Sequence, residues 1–544
     1  MSKHLRIIPL GGLGEIGKNM TVLEYGRNQI IIDCGVMFPE NDMYGIDLVL
    51  PNFDYVIENQ DTLRGIVLTH GHMDHIGGLA YLMKHINTTI YGTPLTVGMA
   101  ERQMEEKHVL QNAKMQTVGD KDTIQLGPFK IHLFPVAHSI PGSVGLVIET
   151  PAGIVVHTGD YKLDETPAGG RTTDLKRLKH LTQKGVLALL ADSTNADRPG
   201  RTPTEQVVAD TLDELFAEAD GRIIIATFSS VLARLQAIMD LAVKHGRKVA
   251  LTGRSLQENV ALARSLGYMK VADRVLVDID NRVADDKLII LSTGSQGEPR
   301  SALNRMAKGE HRQIDIHQGD TIIISGGTIP GNEEEVGRML NKLFERGANV
   351  IYGPLATVHV SGHGSRDEMR LMLETVKPRY FIPVHGESRH QHLHAGIAAK
   401  IGVAADHTFI LQNGSTWSSD GEKAWLEAPI PADDVYVDGR LVGTIGETVM
   451  RDRQRLSQDG FIVVYVPVNG RSKLVGEPQI ISRGFVHMQE SSDLIDLARK
   501  ELKRQLQRKG RNNDPKETVR LTLQNFFYRE TQSRPVILSN IVRV

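Results

Sequence analysis

The stretch His70-Gly71-His72-Met73-Asp74-His75 contains three imidazoles and one carboxylate within six residues. It follows the apolar, strand-like segment Gly65–Thr69 and precedes the helix-like segment Ile76–Ile86. Imidazole nitrogens and carboxylate oxygens are ligands that suit zinc or manganese. We therefore expect a metal site on a strand-to-helix loop, where side chains can converge on one point. A solvated, histidine-rich turn is the alternative when this stretch is considered alone.

Further candidate ligands follow apolar, strand-like segments downstream. His138 follows Phe134-Pro135-Val136-Ala137, Asp160 follows Val156-His157-Thr158-Gly159, and His385 follows Phe381-Ile382-Pro383-Val384. Any one of them alone is more often a structural histidine or a turn aspartate. Their shared position at strand ends favours a common metal site instead. Asp33 also ends a strand-like segment and is a candidate to orient a ligand histidine through a hydrogen bond.

Length and composition limit the class of protein. The chain has 544 residues, which suggests three or four domains, and 40% of them are hydrophobic and 24% charged, as in ordinary globular proteins. No apolar run reaches the ~20 residues of a membrane span, so no membrane partner is expected. The N-terminal residues lack the features of a signal peptide, and the single cysteine, Cys34, excludes an intramolecular disulfide framework. These features predict a cytoplasmic protein in which Cys34 is a small buried residue. A net charge of −2 argues against non-specific coating of nucleic acid but leaves room for a local basic groove.

Two patterns of secondary structure divide the chain near Pro203. Before it, short β-like segments with few helices predict hairpins. After it, helical segments alternate with short apolar strands, which indicates a parallel α/β sheet. Ile430–Gly460 is polar and is predicted to be an irregular linker, and a small tail domain follows. The predicted elements of the tail are a hairpin of Phe461–Val468 and Gln479–Val486, a helix Ser491–Arg508 and a closing strand Pro535–Asn540.

Gly12-Leu13-Gly14-Glu15-Ile16-Gly17 matches the G-x-G-x-x-G fingerprint of dinucleotide-binding sites, and Asp33 lies about twenty residues further on. However, that fingerprint requires a crossover helix of roughly ten residues or more. The intervening Met20–Tyr25 is β-rich, and Gly26–Gln29 is typical of a turn. The segment is therefore predicted to be a hairpin whose glycines allow tight turns, and nucleotide binding is not expected here.

The motifs together resemble a known family. His-x-His-x-Asp-His followed by a single histidine, Gly-Asp and a late histidine resembles the metallo-β-lactamase fold. Asp192 in Ala191-Asp192-Ser193, His363 in Gly362-His363-Gly364 and His385 in Val384-His385-Gly386 resemble motifs A, B and C of the β-CASP branch, which processes nucleic acids. The opening Pro9–Gly17 and the segment Pro330-Gly331-Asn332-Glu333 resemble the bacterial ribonuclease J family.

The resemblance implies the fold class and its domains. It implies an α/β protein with a metallo-β-lactamase αββα sandwich, an inserted parallel α/β β-CASP domain and a small α+β C-terminal domain. The implied boundaries are 1–203 and 354–429 for the two parts of the metallo-β-lactamase domain, 204–353 for the β-CASP domain, 430–460 for the linker and 461–544 for the C-terminal domain.

The resemblance also implies a site with two zinc ions per subunit, for which manganese or magnesium can substitute. One ion would take His70, His72 and His138, the other Asp74, His75 and His385, and Asp160 would bridge them. Asp74 is also a candidate to orient the attacking water. His363 is a candidate to stabilise the transition state or protonate the leaving oxygen, with a structural role in a glycine-rich loop as the alternative. Asp192 would support His363 or the metal ligands.

The activity that the resemblance implies is hydrolysis of RNA phosphodiester bonds. The enzyme would act as a 5′-to-3′ exonuclease preferring 5′-monophosphate ends, with additional endonuclease activity, in mRNA decay and in RNA maturation that includes rRNA processing. Small, donor-rich loops cradle phosphate, and this makes Ser229, Ser230, Ser361, Gly362 and His363 candidates for the 5′-phosphate pocket. Helix capping is the alternative for Ser229 and Ser230.

RNA is the expected partner, in a homodimer or tetramer and alongside other RNA-decay or ribosomal proteins. A basic run in the tail is expected to be a solvated helix face, to contact RNA or to support association between subunits. It comprises Arg499, Lys500, Lys503, Arg504, Arg508, Lys509 and Arg511.

Three other functions share part of this evidence. A metallo-hydrolase of small thioesters or lactones would share the metal motif, but it does not explain the inserted α/β domain or His363. A catalytically inactive RNA-binding scaffold is disfavoured by candidate ligands at all seven positions. A DNA nuclease of the same branch is distinguished only by the family resemblance.

Overall fold

The computed structural model describes residues 4–167, 171–281, 283–329, 331–443, 445–469, 474–485, 492–508 and 514–544. The chain divides into two compact units. The first unit comprises Met1–Phe38 and Leu48–Val435, and the second comprises Pro39–Asp47 and Tyr436–Val544. Among the described residues, no helix combines the length and the apolar character that crossing a bilayer requires.

Two β-sheets pack face to face in the first unit, where residues such as Ile7, Ile32, Leu133 and Leu146 form a shared buried core. The first sheet has eight strands, in the spatial order Ala424–Glu427, Thr416–Ser419, Leu5–Gly11, Met20–Tyr25, Asn28–Ile32, Leu63–Val67, Thr88–Gly92 and Ala113–Thr117. The second sheet has six strands, in the order Pro378–Val384, Val186–Asp192, Gly153–His157, Val144–Thr150, Phe129–Pro135 and Thr123–Leu126.

Helices cover the outer faces of both sheets and complete an αββα sandwich. Helix Pro94–Glu106 packs against the strands Thr88–Gly92 and Ala113–Thr117. Leu178, Met372 and Ala398 belong to the core on the outer face of the second sheet. They lie on the helices Leu175–Leu181, Arg366–Val376 and Ser388–Lys400. The short helical segments of this unit outside the insertion are Asp54–Glu58, Gln60–Thr62, Met73–Ile76, Leu79–Leu82, Leu110–Asn112 and Ala405–His407.

The glycine-rich N-terminal segment forms a connection between antiparallel strands and contains no crossover helix. Leu5–Gly11 pairs antiparallel with Met20–Tyr25, which pairs antiparallel with Asn28–Ile32. Gly12, Gly14 and Gly17 have positive φ angles, which glycine adopts without steric cost. The sequence-based rejection of a dinucleotide fold at this position is therefore confirmed.

A six-stranded, entirely parallel sheet is inserted into the first unit after Asp192. Its strands lie in the order Leu276–Val277, Lys248–Thr252, Leu288–Ser292, Ile223–Thr227, Thr321–Ser325 and Asn349–Ile351. The helices that accompany them are Glu205–Glu218, Leu232–Lys244, Arg254–Ser265, Ala302–Lys308 and Glu333–Glu345, with 3₁₀ turns at Asp273–Val275 and Asp285–Lys287. The predicted alternation of helices and parallel strands is confirmed.

The second unit has its own core between a three-stranded sheet and two helices. Phe461–Val468 pairs antiparallel with Gln479–Arg483 and parallel with Val536–Arg543. Helices Ser492–Arg508 and Pro515–Thr531 contribute Leu502, Leu523 and Phe527 to this core. The predicted hairpin, first helix and closing strand are present, whereas the helix Pro515–Thr531 was not predicted. Val486, Ser491, Lys509 and Arg511 lie outside the described residues.

The prediction of an irregular linker over Ile430–Gly460 is wrong. This stretch contains the hairpin Val435–Asp438 with Leu441–Val442 and the helix Glu447–Asp459. The helix is mostly polar, and its three apolar residues, Val449, Met450 and Leu456, are too few for the continuous apolar stripe by which an amphipathic helix is recognised in a sequence. The prediction rested on that polarity, which does not distinguish a solvated helix from a loop.

The predicted helix over Ile76–Ile86 is also wrong in detail, because two four-residue helices, Met73–Ile76 and Leu79–Leu82, occupy this region. The backbone N–H of Gly78 donates to the carbonyl of Cys34 at 2.8 Å, so the chain turns toward the neighbouring strand end. A Cβ atom at Gly78 would lie 2.7 Å from the carbonyl oxygen of Gly35. Gly77 and Gly78 therefore allow the loop to pack closely against the end of the neighbouring strand.

Candidate metal centre

Seven predicted ligands converge at one edge of the two packed sheets, each on a segment that follows a strand. His70–His75 follow Leu63–Val67 of the first sheet, whereas His138, Asp160 and His385 follow strands of the second sheet. Their ligand atoms form two groups within which all atoms lie within 4.8 Å of one another. The first quartet is His70, His72, His138 and Asp160. The second quartet is Asp74, His75, Asp160 and His385.

The first quartet consists of three imidazoles around one carboxylate oxygen. Nε2 of His70 and Nε2 of His138 each lie 3.1 Å from Nδ1 of His72. Oδ2 of Asp160 lies 3.5 Å from the first of these nitrogens and 3.7 Å from the second. Three nitrogen lone pairs and a carboxylate facing one point form a donor set that suits zinc.

The second quartet shares Asp160 with the first. Nε2 of His75 lies 3.2 Å from Oδ2 of Asp160 and 3.5 Å from Oδ2 of Asp74. The same oxygen of Asp74 lies 3.3 Å from Nε2 of His385. Because Asp160 belongs to both quartets, the arrangement has the form of two adjacent cation sites joined by one carboxylate.

The imidazoles are held in place by hydrogen bonds at their other ring nitrogens. Nδ1 of His75 pairs with Oδ2 of Asp33 at 2.8 Å, and Nδ1 of His138 pairs with the carbonyl of Gly362 at 2.9 Å. Nδ1 of His385 lies 2.8 Å from the hydroxyl of Thr194. Partners of this kind fix the ring orientation and raise the basicity of a ligand histidine. The predicted hydrogen bond between a histidine and the accepting carboxylate of Asp33 is therefore present in the structure.

Protonation differs between the two quartets. Burial lowers the pKa of His72 to about 4 and that of His138 to about 3, so both rings are neutral at pH 7. Burial also lowers the pKa of His385, but Asp160, Asp192 and Asp74 outweigh it and raise the pKa to about 10. In the second quartet, the carboxylates thus keep the imidazole of His385 protonated. A divalent cation bound there would displace that proton. Metal binding is accordingly expected to release protons.

His363 and Asp192 form a third group beside the two quartets. Nδ1 of His363 lies 2.7 Å from Oδ2 of Asp192 and 4.0 Å from Oδ2 of Asp160. Burial lowers the pKa of His363, but the Asp192 and Asp160 carboxylates raise it above its ordinary value. The Asp192 carboxylate also accepts hydrogen bonds from the backbone N–H and the hydroxyl of Thr194. Asp192 therefore supports both His363 and, through Thr194, His385.

The loop that carries Ser361, Gly362 and His363 lies directly against the first quartet, because the carbonyl of Gly362 contacts His138. Asn195 donates to the hydroxyl of Ser361 at 2.9 Å and to the carbonyl of His363 at 2.8 Å. Close approach requires the glycine, since a Cβ at Gly362 would lie 2.8 Å from the ring of His138.

Ser229 and Ser230 lie after the strand Ile223–Thr227 of the inserted sheet and before the helix Leu232–Lys244. That helix has Val231 at its N-cap and no side-chain capping hydrogen bond, so the capping alternative is not supported. The carbonyl and hydroxyl of Ser229 instead accept hydrogen bonds from Asn259.

Several residues that contact the site were not predicted from the sequence, notably Asn19, Thr69, Thr194, Asn195 and Asn259. Thr69 directly precedes His70 and Thr194 lies two residues after Asp192, and that proximity was an available signal. Asn19 lies in the N-terminal turn, where its amide contacts the carbonyl of Asp74 and Nε2 of His75. Nothing in its sequence context distinguishes it from an ordinary turn asparagine.

Comparison with known proteins gives matches along most of the chain. Residues 13–193 match the metallo-beta-lactamase superfamily, and residues 220–343 match the ribonuclease J beta-CASP domain. Residues 348–407 match a Zn-dependent metallo-hydrolase RNA specificity domain, and residues 448–544 match the ribonuclease J C-terminal domain.

Full-length relatives share more than a third of their residues with the chain. It is 39% identical to ribonuclease J 1 of Streptococcus pyogenes over 98% of this chain and 97% of the relative. It is 40% identical to ribonuclease J of Thermus thermophilus over 99% of this chain and 95% of the relative. A crystal structure of an Enterococcus faecalis protein of unknown function has a TM-score of 0.52 at 14% identity, covering 76% of this chain and all of that one. The last similarity concerns the fold alone.

Proposed function

The chain belongs to the ribonuclease J family, and from this premise we propose that it is a metal-dependent ribonuclease that hydrolyses phosphodiester bonds at the centre formed by the two quartets. The observation that carries the proposal is the convergence of seven ligand side chains into two groups that share Asp160. Small-thioester or lactone hydrolysis is disfavoured because the similarity to ribonuclease J relatives extends over the inserted domain and the tail. An inactive scaffold is disfavoured because all seven side chains converge.

Two zinc ions are the proposed cofactors, with manganese or magnesium as functional substitutes. His70, His72 and His138 would hold one ion, Asp74, His75 and His385 the other, and Asp160 would contact both. The chemistry of the donors supports this assignment, since imidazole nitrogens predominate and borderline divalent metals prefer them. When bound, such a pair of ions polarises a phosphoryl oxygen and lowers the pKa of water.

The protein side chains supply orientation and proton transfer. Asp74 is the proposed residue that orients the attacking water, because its carboxylate belongs to the second quartet and is partly exposed. His363 is the proposed general acid at the leaving oxygen. Asp192 binds Nδ1 of His363, which leaves Nε2 available, and the Asp192 and Asp160 carboxylates raise the pKa of the ring and so favour the protonated form that a proton donor requires.

A 5′-phosphate pocket would make the enzyme a 5′-to-3′ exonuclease that prefers 5′-monophosphate ends. Cleavage of internal bonds, with no 5′ end bound in the pocket, would give endonuclease activity. Ser229, Ser230, Ser361, Gly362 and His363 are the proposed pocket residues. Hydroxyls, backbone N–H groups and a cationic imidazole are suitable donors for a phosphate dianion. Ser361 and Gly362 adjoin the ligand His138, which supports a pocket near the metal centre.

End-labelled RNA tests both parts of this proposal. We expect mononucleotide release from 5′-monophosphorylated RNA to exceed that from 5′-triphosphate and 5′-hydroxyl RNA, to stop with a chelator and to resume with zinc or manganese. DNA of the same sequence and a generic thioester should react slowly. Release that persists with the chelator would refute the metal mechanism, and equal rates on all three ends would refute the pocket.

A ligand variant with a matched control tests the assignment of the centre. His75→Ala should abolish activity, whereas His85→Ala, at an exposed histidine ten residues further on, should not. Full activity in His75→Ala would contradict the ligand assignment.

The remaining proposals concern the cellular setting. Family membership supports action on RNA in maturation, including rRNA processing, and in mRNA decay, together with other RNA-decay or ribosomal proteins. It also supports a cytoplasmic homodimer or tetramer. The domain boundaries at 203, 353, 429 and 460 stay proposals for limited proteolysis to test.

A further inference from the structure

Ser229 lies in the inserted domain, yet its environment includes a residue of the metallo-β-lactamase part. Nδ2 of Asn259 donates to the carbonyl of Ser229 at 2.9 Å and to its hydroxyl at 3.2 Å. Oδ1 of Asn259 accepts from Nη2 of Arg102 at 2.7 Å. Asn259 is only 3% exposed, so this amide bridges Arg102 and Ser229 away from solvent.

The hydrogen-bonding chemistry fixes the direction of each bond. A guanidinium can only donate, so the amide oxygen of Asn259 must face Arg102 and the amide nitrogen must face Ser229. The hydroxyl oxygen of Ser229 therefore accepts from Asn259, and its own proton is left to point elsewhere. No hydrogen bond donated by this hydroxyl exists within the described part of the chain, and Ser229 is half-buried.

Arg102 also connects this amide to the metal-binding loop. It lies on the helix Pro94–Glu106, which packs on that loop so tightly that a Cβ at Gly71 would lie 2.8 Å from Sδ of Met99. The helix Arg254–Ser265, which carries Asn259, packs equally closely, because a Cβ at Gly98 would lie 2.9 Å from Leu262. The same two helices are joined by an Arg254–Glu106 ion pair at 2.9 Å.

We propose that Arg102 and Asn259 are positioning residues that present the Ser229 hydroxyl as a hydrogen-bond donor to the 5′-terminal phosphate of bound RNA. This inference rests on the proposed function and adds residues that set its end preference. The Arg102–Asn259 bridge orients the donor, and the packed helices fix it relative to the metal-binding loop. The group that binds the 5′-terminal phosphate is thereby held in a fixed position relative to the phosphodiester bond that is cleaved.

The isosteric variant Asn259→Asp separates this role from a structural one. A carboxylate accepts from Arg102 as the amide does, but it cannot donate to the carbonyl of Ser229, which accepts from Nδ2 of Asn259 at 2.9 Å in the wild type. Its second oxygen would accept the Ser229 proton and place a negative charge beside the phosphate. A purely structural role predicts that Asn259→Asp and Asn259→Ala lower kcat/KM to the same extent on 5′-monophosphate and 5′-hydroxyl RNA, because a loss of folded protein affects both substrates. The proposal predicts that both variants lower kcat/KM selectively on 5′-monophosphate RNA, and that Asn259→Asp does so more strongly than Asn259→Ala.

The measurement is the ratio of kcat/KM on 5′-monophosphate RNA to that on 5′-hydroxyl RNA of the same sequence. We expect Asn259→Asp to lower this ratio about 30-fold, as for loss of a hydrogen bond to a charged group. The decrease should appear mainly in KM for the phosphorylated substrate, measured at a temperature well below the melting temperature of each variant. Gln257→Glu is the matched control, because it adds the same charge at an exposed position of the same helix, and it should leave the ratio unchanged.

The outcomes distinguish this inference from the proposed function. Equal rates of the wild type on both RNAs would refute the phosphate pocket itself. If the wild type prefers 5′-monophosphate RNA over 5′-hydroxyl RNA and Asn259→Asp keeps the same ratio of kcat/KM, only the positioning role is refuted. Should Asn259→Asp fail to fold, Arg102→Gln decides by the same ratio: a decrease supports the proposal and an unchanged ratio overturns it.

Discussion

Asp33 shows how a residue outside the two quartets defines the metal centre. Its carboxylate is buried, pairs with Nδ1 of His75 at 2.8 Å and accepts from the backbone N–H and hydroxyl of Thr69 at 2.7 and 2.8 Å. Asp33 and His385 both have positive φ angles, which are unfavourable for residues with a Cβ atom and often mark functional sites. The backbone of Asp33 and of His385 is thus strained at positions where their side chains must reach the metal centre.

Asp33→Asn is expected to weaken metal binding without removing a ligand. The amide has one acceptor oxygen in place of two, so either His75 or Thr69 loses its hydrogen bond. We expect a loss of roughly 10- to 100-fold in metal affinity, measured by competition with a chromogenic chelator. Asp61→Asn, at an exposed position, is the control. Unchanged affinity in Asp33→Asn would show that the carboxylate does not support the ligand.

His394 should make stability depend on pH. It is fully buried, with Nδ1 3.0 Å from the hydroxyl of Ser193, and burial lowers its pKa to about 3. At pH values between the pKa of His394 in the unfolded chain and its lower pKa in the folded protein, the unfolded chain is protonated at His394 and the native protein is not. Stability therefore falls as pH decreases through this window. From about pH 7 to about pH 5 the loss is about 2 kcal/mol for this one group.

His394→Asn retains a hydrogen-bonding group near Ser193 but does not titrate. Urea unfolding at the two pH values should show a loss of stability about 2 kcal/mol smaller than in the wild type. An identical pH dependence in both proteins would indicate that His394 is protonated in the folded state.

At the scale of elements, Glu368 connects three segments around the His363 loop. It lies in the first turn of helix Arg366–Val376, where it is 1% exposed. One carboxylate oxygen accepts from the backbone N–H groups of Ser365 and Thr202 at 2.8 and 2.7 Å, and the other accepts from that of Leu163 at 2.7 Å. The helix start, the loop before the inserted domain and the segment after Asp160 are thus held together.

Glu368→Gln should destabilise the protein by about 1–3 kcal/mol, because an amide nitrogen would face a backbone donor that no longer has an acceptor. Urea unfolding measures the effect. Glu374→Gln changes an exposed carboxylate on the same helix and should be nearly neutral. Equal stabilities for both variants would mean that solvent replaces the lost acceptor.

At the same scale, the basic run of the tail proves to be partly neutralised. Within the described helix Ser492–Arg508, Arg499 pairs with Asp496, Arg504 with Glu501, and Lys503 with Glu477. Ion pairs of this kind are typical of a solvated helix surface. They favour the solvated-face interpretation over a dedicated RNA-binding surface.

At the scale of the whole molecule, the second unit offers a surface for the proposed self-association. Its helices cover one face of the three-stranded sheet, and the other face exposes apolar side chains. Ile481 is 40% exposed and Leu538 is 51% exposed, and both lie beside Val463 in the strand register. An apolar sheet face of this kind often marks an interaction site.

Leu538→Lys is therefore expected to shift the protein from dimer to monomer, because a charge would replace apolar surface on that face. Light scattering after size exclusion reports the mass. Leu521→Lys, at a comparably exposed leucine on the helix Pro515–Thr531, should leave the mass unchanged. A wild-type protein that is already monomeric would contradict the proposed dimer.

The sequence by itself determined the chemistry and the class of fold. His70–His75 identified candidate metal ligands, and periodicity located most strands and the parallel inserted sheet, because ligand types and hydrophobic alternation are local properties of the chain. Local patterns did not reveal the helix Glu447–Asp459, which is mostly polar. The tertiary structure alone decided which ligands share Asp160, which donor orients each ring, and that Asn259 connects Arg102 to Ser229. Most of these contacts join residues that lie from 30 to more than 200 positions apart in the chain, and their geometry depends on how the sheets and helices pack.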